Sequence, residues 1–469
     1  VKDEPLKPNP QRHELRQNSV SFFGALAMSA AFMGPGVSIF YNIVPAAAVA
    51  GAAFPLSFLV SMIAILFVAA SVVAFSRKIQ SASFAFAYTS AGLGPKFGFM
   101  AGWIALLAYA MIAPLTYAGF GIMVSEFMQR QFAVQVSWIW FFVAVGVVVS
   151  LLSCFGVSHS TRTTLVFLVL EVGVMLALFG SVIFGGGQNS VQPFMYHSAP
   201  HGLSSIGAGM VFGILSFTGF EAAANLGEET RNAARNVPVA IALSVILIGV
   251  FYIVGSYVAD IAFHLEAADI ANNGAPLDVI CRRFWGNNWA WVVDLTVLNS
   301  VFANAIAGQM SMVRNLFSLG RARMLPGFLG RTNRFGAPFN AVLFDFGLSM
   351  VLGLSVGCWI GAWGVWKLMG AIMSIGLILV YALVSAALPF FFLSKHRDEF
   401  SRLKHVWVPL ICMVLLLLPL YGTIWPVPIF PYNLAPYVVV LWILIGSYRL
   451  ASRQRAGDFA AGFGSSLSE

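Results

Sequence analysis

The chain has 469 residues, of which 59% are hydrophobic and 9% charged, and its formal net charge is +8. Soluble chains average about 25% charged residues, so a water-soluble globule, a disordered regulator and a nucleic-acid binder are excluded as classes. A mean hydropathy of +0.84 describes instead an all-α polytopic membrane protein, with basic residues scattered between apolar runs and no continuous patch for nucleic acid.

The polar stretch Val1–Asn18 leads into an apolar run too long for the core of a cleavable signal peptide, so none is expected. A helix needs about 20 apolar residues to cross a bilayer. Twelve segments satisfy this. They are Ser21–Val44, Ala52–Phe75, Phe97–Ser125, Val136–Cys154, Thr164–Phe184, Ile206–Leu226, Pro238–Phe263, Ala290–Phe317, Asn340–Trp359, Trp366–Leu393, Val406–Ile424 and Pro431–Tyr448. Phe97–Ser125 and Trp366–Leu393 exceed the required length, which predicts tilt or a kink. Trp138, Trp289, Trp363 and Trp425 fall near segment ends, as interfacial anchors do.

Loop charge sets the orientation. With the N-terminus inside, 22 of the 26 basic residues fall inside and only Arg130, Arg282, Arg283 and Lys367 outside. Both termini are therefore expected in the cytoplasm. The tails 1–20 and 449–469 are short, and no separate soluble domain is expected.

Glu171 and Glu221 lie deep within apolar segments, whereas Asp260, Asp294 and Asp345 lie nearer segment ends, within reach of interfacial water. A carboxyl inside the membrane is costly, so the two glutamates are functional candidates. Cys154, Cys281, Cys358 and Cys412 form neither a paired motif nor a metal-ligand spacing. No zinc-hydrolase, serine-hydrolase or nucleotide-binding motif is present, so no enzyme, metal or cofactor is expected.

Two spans carry interruptions. The first contains Met33-Gly34-Pro35-Gly36-Val37, and the sixth contains Ser216-Phe217-Thr218-Gly219-Phe220-Glu221. Proline removes a backbone donor and crowds the preceding turn, and glycine relaxes the chain. Interruptions at corresponding positions of two halves point to a transporter site. A broken helix exposes N–H groups suited to a carboxylate and C=O groups suited to an ammonium. Non-helical backbone is predicted from Met33 to Val37 and from Ser216 to Phe220.

Three stretches together resemble the amino acid–polyamine–organocation superfamily: GPGVSIF at Gly34–Phe40, FGILSFTGFEAAANLGEETRNAARNVPVAI, and VRNLFSLGRARMLPGFLGRTNRFGAPFNAV. LGPKFGFMAGW is a weaker fourth match. The resemblance implies twelve helices. The first ten form a LeuT-type inverted five-plus-five repeat (21–184 and 206–393, within a core of 21–393), with broken first and sixth helices, and 406–448 supplies two additional helices. It implies a secondary transporter of amino acids or related amines in a bacterial cytoplasmic membrane. A polyamine carrier or an exchanger is the alternative within the fold, and a membrane sensor the alternative outside it. Pro35 stands where the family has a hydroxyl residue, Ala233 where it has proline, and Ala82-Ser83-Phe84 where a glycine pair is usual. These departures mark an outlying subfamily.

Carried over by position, Gly34, Gly36 and Val37 line the anion end of the site. The carbonyls of Phe32, Leu215 and Thr218 face the ammonium end. Phe217, Gly219 and Phe220 form the unwound sixth helix, and Leu215 replaces a gating tryptophan of some relatives. Glu221 matches a glutamate tied to proton response, and Glu171 falls where proton-coupled relatives have lysine. Asn299, Ser300 and Asn304 are the candidate oxygen ligands if sodium is used instead. The loop Glu126–Gln135 lacks the cysteine with which relatives hold a disulfide-linked accessory subunit, so no such partner is expected.

Overall fold

The computed structural model describes residues 15, 17–154, 157–333, 336–425 and 427–455. In chain order the helices are α1 (Phe22–Met33), α2 (Pro35–Tyr41), α3 (Ile43–Ala50), α4 (Phe54–Ser76), α5 (Phe84–Leu93), α6 (Pro95–Ala110), α7 (Ile112–Phe132), α8 (Trp138–Cys154) and α9 (Val157–Gly185). After α9 come α10 (Leu203–Phe217), α11 (Ala222–Asn225), α12 (Ala233–Ala262), α13 (Ala267–Ala271), α14 (Pro276–Trp285), α15 (Ala290–Arg321), α16 (Phe339–Lys395), α17 (Val408–Gly422) and α18 (Ala435–Arg455). Among the described residues, ten stretches are helical, long and apolar enough to cross a membrane, and Trp138–Cys154 is a shorter apolar helix.

Proline explains several of the bends. A helical proline crowds the carbonyl four residues before it. Pro114 faces that conflict with Ala110, where α6 gives way to α7. Pro45 faces it with Tyr41, where α2 gives way to α3. The two segments expected at 340–393 run together as α16, divided only by Gly361 at φ 74° and ψ 171°. That left-handed conformation suits glycine.

The half-helices α1 and α2 sit at the centre. α1 packs on α9, α12 and α15, and α2 on α15 and α12. α16 packs on α5, α6 and α7, and α10 on α3, α4 and α17. The outer helices expose apolar side chains such as Val147, Leu170, Val414, Leu417, Leu441 and Leu444. Such a surface belongs in hydrocarbon, so the chain is a multi-pass membrane protein.

At one end, the chain before α1 is clamped to the loop after α11. Val20 donates to Glu229 O at 3.0 Å, and Arg231 N donates back to Val20 O at 2.9 Å. In the same loop Glu229 pairs with Arg314 at 2.7 Å, each side chain 4% exposed, and Glu228 takes two bonds from Arg321. At the far end of α2, Tyr41 donates to Gly119 O at 3.2 Å and packs edge-on against Trp363 and obliquely against Trp366.

Candidate functional site

The break in the first span is one residue wide. Gly34 takes a left-handed conformation, φ 58° and ψ 71°, closing α1 and opening α2. Contrary to the expected stretch, Met33, Pro35, Gly36 and Val37 are helical. The reason is local. At the first helical position a missing N–H costs nothing and a fixed φ is already correct, so Pro35 restarts the helix at once.

The freed amides of α2 have partners. Gly36 N donates to Glu171 Oε1 at 2.6 Å, and Val37 N donates to Ser300 Oγ at 3.0 Å. Glu171, on α9, is 2% exposed, and its second oxygen accepts from Asn299 Nδ2 at 3.3 Å. A side-chain carboxylate thus stands where the sequence placed a bound carboxylate. The carbonyls at the end of α1 are also engaged. Asn304 Nδ2 donates to Phe32 O. Ser38 Oγ and Tyr252 OH reach Met33 O at 2.8 and 2.6 Å.

The second break is wider. α10 persists through Ser216 and Phe217, against expectation, and helical structure resumes only at Ala222. Thr218 is extended, with φ −56° and ψ 131°, and Gly219 has φ 108°. A Cβ on Gly219 would stand 2.4 Å from Phe32 Cγ, so the two breaks touch where only glycine fits. Gly219 N donates to Glu221 Oε2 at 3.1 Å. Tyr109 OH and Tyr381 OH donate to the same carboxyl at 2.9 and 3.0 Å. Ser29 Oγ closes the region by donating to Phe220 O at 2.8 Å and accepting from Ala223 N at 3.0 Å.

Tyr252, on α12, joins the breaks, its hydroxyl lying 2.6 Å from Met33 O and 2.8 Å from Ser216 O. It carries one proton. Since Ser38 already serves Met33 O, that proton is available to Ser216 O.

Between the breaks lies a cavity of about 30 Å³, lined among others by Phe32, Val37, Asn42, Leu215, Thr218 and Trp366. That space takes about two waters, so the walls must part before an amino acid enters. None of its lining residues is charged.

Of the sequence-derived candidates, Phe32, Val37, Leu215, Thr218 and Asn304 line this cavity. Gly34 and Gly36 sit beside it in the backbone. Phe217, Gly219 and Phe220 are buried but do not line it, and neither do Glu171 and Glu221. Asp260, Asp294 and Asp345 are fully buried instead of reaching interfacial water. Asp294 is held by Arg130 at 3.2 Å. Tyr252 and Asn42 went unread in the sequence. The available signal was a strongly polar group within an apolar run, which needs a partner once buried.

The family model described as amino acid permease matches residues 20–445. The chain belongs to the amino acid permease family. It is therefore a permease of the amino acid–polyamine–organocation superfamily and not an enzyme, and it acts on a small molecule at a membrane. The low-affinity putrescine importer PlaP of Escherichia coli K12 is 27% identical over 331 residues, covering 68% of this permease and 70% of PlaP. The branched-chain amino acid permease BcaP of Bacillus subtilis is 24% identical over 444 residues, 90% of each chain. An uncharacterized transporter of Mycobacterium tuberculosis is 29% identical over 355 residues, 72% of this permease and 74% of that protein. The structure of MhsT in complex with L-phenylalanine superposes with a TM-score of 0.59 at 17% identity, covering 85% of this permease and 98% of MhsT. That likeness shows the fold, which is of the LeuT type.

Proposed function

We propose that this permease carries amino acids or closely related amines across the bacterial cytoplasmic membrane by alternating access, with both termini inside. The observation that carries the reading is the pair of helix breaks, at Gly34 and at Thr218–Gly219, flanking one cavity. Counting α8 as a crossing and dividing α16 at Gly361 gives twelve crossings. The first ten form two inverted sets of five, within 21–184 and 206–393, and 406–448 adds two. The clamp at Val20, Glu229 and Arg314 is the inner closure, and Tyr41 with Trp363 and Trp366 is the outer one.

Transport is coupled to a proton. Glu171 ties α9 to the start of α2 through the Gly36 amide, so a change in its protonation alters that tie and biases the tilt of the first span. Glu221 braces the sixth-span break through the Gly219 amide, and its protonation sets how firmly that loop is held. A ligand-induced melting screen of the purified chain tests the substrate class, because a molecule that binds only the native state raises its apparent stability. Amino acids or amines should raise the melting temperature, and no shift across the common L-amino acids, n-butylamine and putrescine would contradict the reading.

One observation favours a narrower version. Glu171 and Ser300 already hold the Gly36 and Val37 amides, so a substrate carboxylate must displace them whereas an amine without a carboxylate need not. The absence of acidic residues from the cavity lining speaks against a polyamine, whose several charges would each need an acceptor.

A further inference from the structure

We propose that the side-chain oxygen of Asn42 is the acceptor for the substrate's ammonium. This deepens the transporter reading and rests on it. The backbone carbonyls expected to hold the ammonium are largely spoken for. Phe32 O accepts from Asn304, Met33 O from Ser38, and Leu215 O from Thr218 N at 3.2 Å. Ser216 O accepts from Tyr252 at 2.8 Å. Asn42, at the junction of α2 and α3, lines the same cavity and is 3% exposed. Its Oδ1 is buried and has no hydrogen-bond partner among the described residues.

The orientation of this amide follows from its neighbours. Asn42 Nδ2 donates to Ser216 Oγ at 2.9 Å. Ser216 Oγ spends its own proton on Phe212 O at 2.9 Å, so it has none to give Asn42. The NH2 group must face Ser216, and the oxygen is left pointing elsewhere with its lone pairs unused. A buried acceptor without a donor destabilises the protein, and on a residue that lines a ligand cavity it is satisfied when the cavity opens and a donor arrives.

The chemistry selects the ligand group. An amide oxygen attracts N–H donors and repels a carboxylate. The lining also includes the aromatic residues Phe32 and Trp366, a residue type that favours a cation. A single amide oxygen serves one ammonium, in keeping with a monoamine head group.

The test uses the purified full chain and Asn42→Ala, Asn42→Asp and Ser216→Ala variants. Probes are the common L-amino acids, n-butylamine and putrescine, with the desamino acid of whichever amino acid binds best. Asn42→Ala should weaken binding of the amine or amino acid by about 10- to 100-fold, the usual worth of a hydrogen bond to a charged group. The desamino acid should bind both proteins alike. Asn42→Asp, which keeps an oxygen in place, should bind n-butylamine at least as tightly as the wild type. Ser216→Ala removes the support of Asn42 but not its oxygen, and should retain amine binding within about threefold. Unchanged amine binding by a folded Asn42→Ala protein would overturn the proposal. So would equal losses for the amino acid and its desamino acid, which mark a purely structural residue. If Asn42→Ala does not fold, Asn42→Asp decides, and loss of amine binding there overturns it. A wild-type protein that responds to no probe overturns the transporter reading itself, and this proposal with it.

Discussion

The two helix breaks solve one problem in different ways. Each leaves a backbone amide without an intrahelical partner, and each gives that amide to a buried glutamate. In the first span the glutamate comes from another helix, because Gly36 N reaches Glu171 of α9. In the sixth span it comes from two residues onward, because Gly219 N reaches Glu221. A cap supplied from a distance ties two helices together, and it is strained or released when they move. A cap supplied locally travels with its own segment. The first arrangement suits coupling between an ion and a conformational change, and the second suits holding an unwound segment in shape. The widths agree with this difference. The first break is a hinge at one glycine, and the second is a short braced loop.

The largest effect should come from filling the contact between the breaks. Gly219→Ala forces a side chain onto a residue at φ 108°, with its Cβ 2.4 Å from Phe32 Cγ and 2.8 Å from Phe32 C. Backbone cannot give way as a flexible side chain does. We predict a destabilisation of about 3 kcal/mol or more, seen as loss of monodisperse protein on size exclusion. Gly36→Ala, whose Cβ would meet Glu171 Oε1 at 3.0 Å, should fold but transport poorly. Equal tolerance of both changes would erase the distinction between a packed contact and an adjustable one.

Next in size is Tyr252→Phe. The hydroxyl bridges both breaks, and its removal leaves Ser216 O buried without that donor. The expected cost is about 1–3 kcal/mol, read as a lower melting temperature in detergent. An unchanged melting temperature would mean that the two breaks are not linked through α12.

How much of this was legible beforehand follows from the range of the interactions. The glycine and proline at 34 and 35 announced a break, because their effect is local. The break is narrower than expected, because the same proline that ends one helix is pre-set to begin the next. In the sixth span the helix outlasted expectation through Phe217, because its carbonyls still found donors: Leu215 O accepts Thr218 N at 3.2 Å. The depth of Glu171 could be read from its apolar surroundings. Its attachment to Gly36, 135 residues away in sequence, could not. Asn42 and Tyr252 are illegible for the same reason, since a polar side chain in a span reveals its need for a partner but not which helix supplies it.

Smaller effects sharpen the comparison. Glu221→Gln should leave the protein folded, because an amide can still meet Tyr109, Tyr381 and the Gly219 amide. It should change the pH profile of uptake, measured in proteoliposomes from about pH 5 to about pH 8. An unchanged profile would reduce Glu221 to a brace. The least effect is expected from Ser29→Ala, which removes one donor to Phe220 O and one acceptor for Ala223 N. We predict a loss of about 1 kcal/mol with transport retained, and a larger loss would show that the loop depends on α1 more than on its own glutamate.

The most direct test of the account is concentrative uptake by Glu171→Gln protein. The probe is the amine or amino acid that gives the largest melting shift, offered to proteoliposomes with and without an imposed proton gradient. Wild-type protein should accumulate it above the outside concentration only when the gradient is present. The Glu171→Gln protein should still bind the probe and let it equilibrate, without accumulating it. Gradient-driven accumulation by the Glu171→Gln protein at the wild-type level would contradict the account and move coupling away from the tie between α9 and α2.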